Sequence, residues 1–321
     1  MKLRNYGLIS LLVLGGCLPP QWARKIEPRY FNGHVLPIKN WDLGCDNLGQ
    51  CVAIGAVPPN ASPKTGIRAA LRIELTHIDG LAAGMAIIPI NTQGNLPEIR
   101  PDLMQANEII EKLRAGNEPI IWFRDGNGMN YSFLGENFVH VESLYHEWQG
   151  KFRAQTLEIN QGLPARAIEL WDFNSPQLPR KRDDFCGEWQ NAKIEAAWEF
   201  GNNSRLYKYS CEIVGDFNKL SLWFTLAQRG RLMPIGVEGA IGEKLGDKAA
   251  GLFNAHFDET SGLLISRTYA NAVPDCGLMA IYAATDAGFV LAQQREARNC
   301  FGLSSNNWIQ TYRNRAIALP D

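Results

Sequence analysis

The chain has 321 residues, 45% of them hydrophobic and 20% charged, with a formal net charge of −1. This is the composition of an ordinary folded protein without a basic surplus, which argues against nucleic acid as a partner. A length near 300 residues makes two domains the default, each large enough for its own core.

The first stretch, "MKLRNYGLISLLVLGGCLPP", carries Lys2 and Arg4, an apolar run from Gly7 to Gly16, and then Leu14-Gly15-Gly16-Cys17. A spanning helix needs about 20 apolar residues, whereas this run is shorter and is closed by small residues and Pro19-Pro20. Residues 1–16 read as a secretory signal ending in a lipobox, and the pattern resembles that of bacterial lipoproteins. The resemblance implies lipid attachment at Cys17, with acyl chains whose anchoring strength grows by about 0.8 kcal/mol per buried CH₂. Leu18 rather than Asp follows, which among Gram-negative lipoproteins implies the outer membrane. Cleavage removes Lys2 and Arg4 and leaves a net charge of about −3. Residues 17–33, "CLPPQWARKIEPRYFNG", mix prolines and charges without periodicity and read as a tether.

From His34 the pattern becomes strand-like, with "VLPIKNWDLG", "CVAIGAV", "GIRAALRIELTHI" and "GMAIIPI" parted by Gly, Pro and Asn. "PDLMQANEIIEKLRAGNEP" predicts a helix: Leu103, Ala106, Ile110 and Leu113 share a face, Pro101-Asp102 open it and Gly116 closes it. "PIIWFR", "DGNG" and "MNYSF" predict a hairpin. A second helix, "ENFVHVESLYHEWQ", is expected to bury Phe138, Val141, Tyr145 and Trp148, and "FRAQTLEI" to return as a strand. Residues 34–160 thus form an expected α+β domain. Residues 161–185 read as a linker, since "WDFNSPQLPRKRDDF" has prolines and charges but no period. Residues 186–321 are dominated by short strands with turns such as "DETSG" and "TDAG", the pattern of an antiparallel β meander. The fold class is therefore α+β, and no repeat of 20–50 residues points to a solenoid or propeller.

With Cys17 assigned to lipid, Cys45, Cys51, Cys186, Cys211, Cys276 and Cys300 remain, an even number. An oxidising periplasm implies disulfides, and the chain order suggests three local ones: 45–51, 186–211 and 276–300. Asp46-Asn47-Leu48-Gly49-Gln50 is turn chemistry, with Gly49 available for positive φ. Zinc needs four converging ligands, usually at two-residue spacings, and a redox pair favours Cys-x-x-Cys; five intervening residues fit neither. No metal or cofactor is expected.

These residues also carry a family resemblance. Trp41, Cys45-Asp46-Asn47 and Cys51, then "YSFLGENFVHVESLYHEWQGKFRAQTLEINQG", Cys211 ahead of "GDFN", and "DCGLMAIY…GFVLAQQREARNCFGLSSNNWIQTYRNR" resemble, over residues 34–315, the bacterial family known as domain of unknown function 1176. The strand after Cys211 ends Gly215-Asp216-Phe217-Asn218, where the family usually has Gly-Ala-Tyr-Asn, and the second helix is poorer in alanine. The family implies an envelope location and supplies no catalytic residue. The Trp41…Cys45…Cys51 opening is also similar to invasion-associated locus B proteins.

Catalytic constellations are sparse. His140 and His146 sit on the second helix about 120° apart, too far round to share one ion. Glu142 and His146 form an i,i+4 pair expected to be solvated. His256 shares a polar face with Asn254 and Asp258, and His34 and His77 stand alone. Asp125, Asn127 and Glu136 occupy the first, third and twelfth places of a calcium loop, but Met129 and Asn130 break the pattern, so a turn explains it better. "GVEGAIGEKLGDKAAG" is glycine-dense without a nucleotide fingerprint and reads as a loop. Trp122, Trp148, Trp198, Trp223 and Trp308 are expected in the core, while Trp171 and Trp189 could line a groove beside the linker. The reading that results is a non-enzymatic envelope module, membrane-attached through Cys17, that binds an envelope or extracellular partner. The rival is a periplasmic hydrolase-like enzyme with Asp184, Glu188 or Asp216 meeting at the domain interface.

Overall fold

In a computed structural model the described residues are 35–46, 49–57, 67–75, 84–90, 97–148, 163–169, 178, 182–183, 187–188, 192–214, 217–226, 232–235, 251–285 and 288–313. The signal and tether with Cys17, His34, His77, the strand expected at 152–159, Trp171, Asp184, Cys186, Trp189, Asp216 and the glycine-dense segment 236–250 lie outside them.

The N-terminal sheet begins with a tight hairpin. The run "VLPIKNWDLG", expected as one strand, is two: β1 (Val35–Ile38) and β2 (Trp41–Cys45), reversed through Lys39 at φ 54°. β3 (Cys51–Ala56), β4 (Ile67–Glu74) and β5 (Met85–Pro89) follow as antiparallel neighbours, in register Asp42–Ile54–Arg72–Ala86 across the sheet. Side chains alternate, so Trp41, Leu43, Ala53, Leu71, Ile73, Met85 and Ile87 line one face, and Val52, Ile54, Ala56, Ala70 and Ile88 the other.

Two helices cover the first face. α1 (Leu103–Ala115) is opened by Asp102, whose side chain accepts from Gln105 N while Gln105 reaches back, a capping box. It is closed by Gly116 at φ 65°. Its buried stripe is Ala106, Ile109, Ile110 and Leu113; Leu103, expected in it, is 55% exposed. α2 (Phe138–Trp148) buries Phe138, Val141, Tyr145 and Trp148, as its period requires. Between the helices, β6 (Ile120–Arg124) and β7 (Asn130–Leu134) form the expected hairpin, and β7 joins β4 in parallel. Asp125 makes that turn: its Oδ1 accepts from the backbone N–H groups of Asn127 and Met129. Trp122 is a correction, since on edge strand β6 Ile121 and Phe123 point inward and Trp122 stays 43% exposed.

The strands described after α2 are all antiparallel. One sheet contains β8 (Ala165–Ala167), β11 (Lys193–Phe200), β12 (Arg205–Val214), β13 (Asn218–Leu226), β14 (Leu232–Pro234) and β15 (Gly251–Phe253), with a small ribbon of β9 (Arg182–Asp183) and β10 (Gly187–Glu188) beside it in sequence. The other is a meander of β16 (His256–Asp258), β17 (Leu263–Tyr269), β18 (Gly277–Thr285), β19 (Gly288–Ala297) and β20 (Ile309–Arg313).

Two packed interfaces join these parts. The second face of the N-terminal sheet meets the meander through Val52, Ile54 and Ile88 against Met279, Ile281, Phe301 and Trp308. The meander's opposite face meets the other β sheet through Phe257, Leu264, Tyr282 and Leu291 against Leu206 and Trp223, where Trp198, only half-buried, stacks on Trp223 at 5.7 Å. The order is helices, N-terminal sheet, meander, third sheet, so the parts expected as two domains share a hydrophobic core.

Two of the three expected disulfides are described. Cys45–Cys51 joins a directly opposed pair of β2 and β3, Cα–Cα 3.9 Å, above a turn in which Gly49 (φ 81°) donates to Asp46 O. The neighbouring Asp46–Gln50 pair is hydrogen-bonded, which makes 45–51 the narrow, non-hydrogen-bonded kind of pair. Cys276–Cys300, Cα–Cα 4.7 Å, ties the outer ends of the β18–β19 hairpin, whose strands close at Thr285–Gly288. Cys211 is disulfide-bonded as well, and its expected partner Cys186 lies outside the described residues.

Candidate functional site

The chemistry concentrates where the N-terminal sheet meets β19 and β20. Asp42 sits in the middle of β2 on the face toward the meander, 1% exposed. Its carboxylate accepts from the backbone N–H of Arg298 (2.9 Å), the backbone N–H of Asn299 (3.1 Å) and the side-chain amide of Asn299 (2.9 Å). The same amide also donates to the carbonyls of Lys39 and Trp41. Glu296, likewise buried, accepts the N–H of Val35, the first residue of β1, and pairs with Arg298. Two acids thus hold the β1–β2 hairpin to the segment leading into Cys300.

Burial pushes the Asp42 carboxyl up to about 7, and the charge of Glu296 adds to the shift; the donors from Asn299 and Arg298 oppose it by favouring the ionised form. A group that holds a proton near neutral pH has the acidity of a general acid or base. Here its oxygens are covered by the chain's own donors, and the chemistry available to it is structural.

One step along the joint, cations gather. Arg295 on β19 lies opposite Gln310 on β20, and Gln293 opposite Arg313. With the Gln293 amide turned as its neighbours require, its oxygen accepts from Arg295 Nε (2.9 Å) and Nη2 (3.0 Å). Arg295 Nη1 donates to the Asn306 carbonyl. Arg313 donates to Gln310 Oε1 (3.3 Å), and its Nε lies 3.8 Å from buried Asp46. Arg72, on β4, pairs with Glu74 at 3.5 Å. Burial lowers the pKa of Arg295, and the like charges of Arg72 and Arg313 lower it further. The charges of Arg72 and Arg313 are thus felt at Arg295, and among the described residues no carboxylate pairs with it.

At the far side of the joint, Arg68 donates to the carbonyls of Val57 and Phe301, and Asp275 accepts from Gly302 N. Asp275 lies close to the sulfurs of Cys276 and Cys300, but both are in a disulfide and offer no thiolate to a metal.

The residues expected from sequence are scattered. His140, His146 and His256 are exposed, on α2 and β16. Glu142 corrects the expected pairing with His146: it takes Arg114 of α1 at 2.8 and 3.2 Å, tying the two helices together. Glu188, a candidate for the rival reading, is exposed on β10. Sequence reasoning missed Asp42, Glu296, Arg72, Arg295 and Arg313. The available signal was position: Asp42 interrupts an otherwise buried strand, and "QQREAR" places polar residues on both faces of one.

The family model described as a protein of unknown function, DUF1176, matches residues 157–315. The chain is similar to this family over those residues, just under half of its length. The match is narrower than the resemblance over 34–315: it contains β19, β20 and the Cys276–Cys300 disulfide, while β2 and Cys45–Cys51 precede it. No curated protein and no solved structure matches the chain. Among the described residues no helix is long and apolar enough to cross a membrane.

Proposed function

We propose that this protein is a non-enzymatic, disulfide-stapled binding or structural module of the cell envelope, lipid-anchored at Cys17 in the outer membrane of a Gram-negative bacterium. The observation that carries the reading is the use made of Asp42: among the described residues it is the acid with the most perturbed proton affinity, and it is consumed by backbone donors at the joint between two sheets. The disulfides flank that joint, with Cys45 three residues beyond Asp42 and Cys300 directly after Asn299. A joint built on disulfides suits an oxidising compartment, and the lipobox at Leu14–Cys17 accounts for the anchor.

Metabolic labelling with a palmitate analogue tests the anchor. Cys17→Ser is expected to abolish labelling and leave the precursor uncut, and a mature chain that starts anywhere other than residue 17 refutes it. The non-enzymatic part is tested by complementing a gene deletion with His140, His146, His256, Asp216 or Glu188 changed singly to Ala. All five are expected to restore function. One folded, anchored variant that fails to do so would make the protein an enzyme.

A further inference from the structure

A partly buried arginine with cationic neighbours and no carboxylate is unfavourable unless an anion completes it, and on β19, opposite β20, Arg295 is in that position: it feels the charges of Arg72 and Arg313. Arg72 already has Glu74, and Arg313 lies beside Asp46, whereas Arg295 has only neutral acceptors, the Gln293 amide oxygen and the Asn306 carbonyl. Among the described residues, Arg295 is therefore the member with no carboxylate partner. A guanidinium has five N–H donors; three of those on Arg295 are spent, and one on each terminal nitrogen is left. Those two are the donors left to meet the oxygens of a planar anion. The Arg72 and Arg313 side chains are 33% and 40% exposed, so the group is reachable from solvent. Gln293 and Gln310 are occupied in holding the two arginines, Gln293 by Arg295 and Gln310 by Arg313, which fixes the guanidinium groups in place.

We propose that Arg295, flanked by Arg72 and Arg313, is a binding site for the carboxylate of an organic ligand. The one guanidinium without a carboxylate, that of Arg295, favours a monoanion. A phosphate monoester brings nearly two charges, and its surplus would face Asp46 and Glu74. The carboxylate chemistry stands by itself; that the ligand comes from the envelope rests on the function proposed above. Two sources fit, a uronic acid sugar and the free end of a peptide.

The test is calorimetric titration of the mature chain in low-chloride buffer with acetate, D-glucuronate, D-alanyl-D-alanine and inorganic phosphate. Acetate should bind saturably, and whichever of the larger carboxylates binds more tightly identifies the source. Arg295→Gln should weaken carboxylate binding at least about tenfold, the loss of a charge-assisted pair of hydrogen bonds. Because Arg295 also holds Gln293 and Asn306, Arg72→Glu serves as the second variant: its side chain leaves no buried partner, and it should abolish binding while disulfides and near-ultraviolet dichroism stay native. The proposal is overturned by an absence of saturable carboxylate binding, by unchanged affinity in both variants, or by phosphate binding more tightly than every carboxylate. Failed lipid labelling at Cys17 would remove the envelope source and leave this titration unaffected.

Discussion

Replacing Asp42 probes the joint most directly. Asp42→Ala strands three donors: the N–H groups of Arg298 and Asn299 and the Asn299 amide. Each buried donor left unpaired costs about 1–3 kcal/mol, and water entering the space recovers part of that, so a loss of about 3–5 kcal/mol is expected. Asp42→Asn isolates the charge. The folded-state pKa, raised by burial from 3.8 to about 7, means the folded protein holds a proton that the unfolded chain has lost between those values. The contribution to stability is full below pH 4 and is lost as the pH rises toward 7, by up to about 4 kcal/mol at 1.36 kcal/mol per unit. The carboxylates of Glu195 (beside Lys208 and Lys219), Glu199 (beside Arg205 and Arg166) and Asp258 (bonded to Ser261) are depressed instead. They lose their contribution as the pH falls below about 4, outside the Asp42 window. Urea unfolding of the mature, disulfide-intact chain at pH 5 and pH 8 provides the assay. The native chain should exceed Asp42→Asn in stability at pH 5, and the gap should narrow or reverse by pH 8. A gap that is constant or widens with pH would show that the three donors outweigh burial and that Asp42 is an ordinary, ionised acid.

Two further substitutions test the packing around this joint. Gly55 lies opposite Trp41, and a Cβ there would meet the indole at 2.6 Å; with Trp41 fully buried and its Nε1 donating to Glu136 O, Gly55→Ala should cost about 1–3 kcal/mol and alter tryptophan fluorescence, and a neutral effect on both would mean the ring is free to move. Cys276→Ser with Cys300→Ser removes a staple spanning 24 residues, for which chain entropy suggests a loss of about 3.5 kcal/mol; denaturant midpoints unchanged between this variant and the native chain would show that the β18–β19 hairpin holds the joint without it.

What could be read in the sequence was local. The stripe of α2, the caps of α1, the Asp125 turn and two disulfides each involve residues within a turn, a helix or a hairpin of one another, so period, turn chemistry and cysteine order suffice. Leu103 shows the limit of periodicity, which names a helix face but not how far along it the core extends. Trp122 shows a second limit: falling within a regular element does not bury a residue, because on edge strand β6 it alternates with Ile121 and Phe123, which take the inward positions.

The joint was illegible for a different reason. Asp42 and Asn299 are 257 residues apart, and Val35 and Glu296 are 261 apart, so no window of sequence contains both partners of either contact. Each appears alone as a polar residue in a strand, and a strand with one solvated face accommodates such a residue without comment. Only the stacking of the meander on the N-terminal sheet turns these positions inward, and it turns Arg72 and Arg295 toward the same place by the same step. Burial of that kind is costly for each group alone. Asp42 recovers the cost from three donors of its own chain, while Arg295 recovers its share from neutral amides and leaves a charge standing. That asymmetry separates the two: the acid closes the joint, and the base leaves it open to an anion.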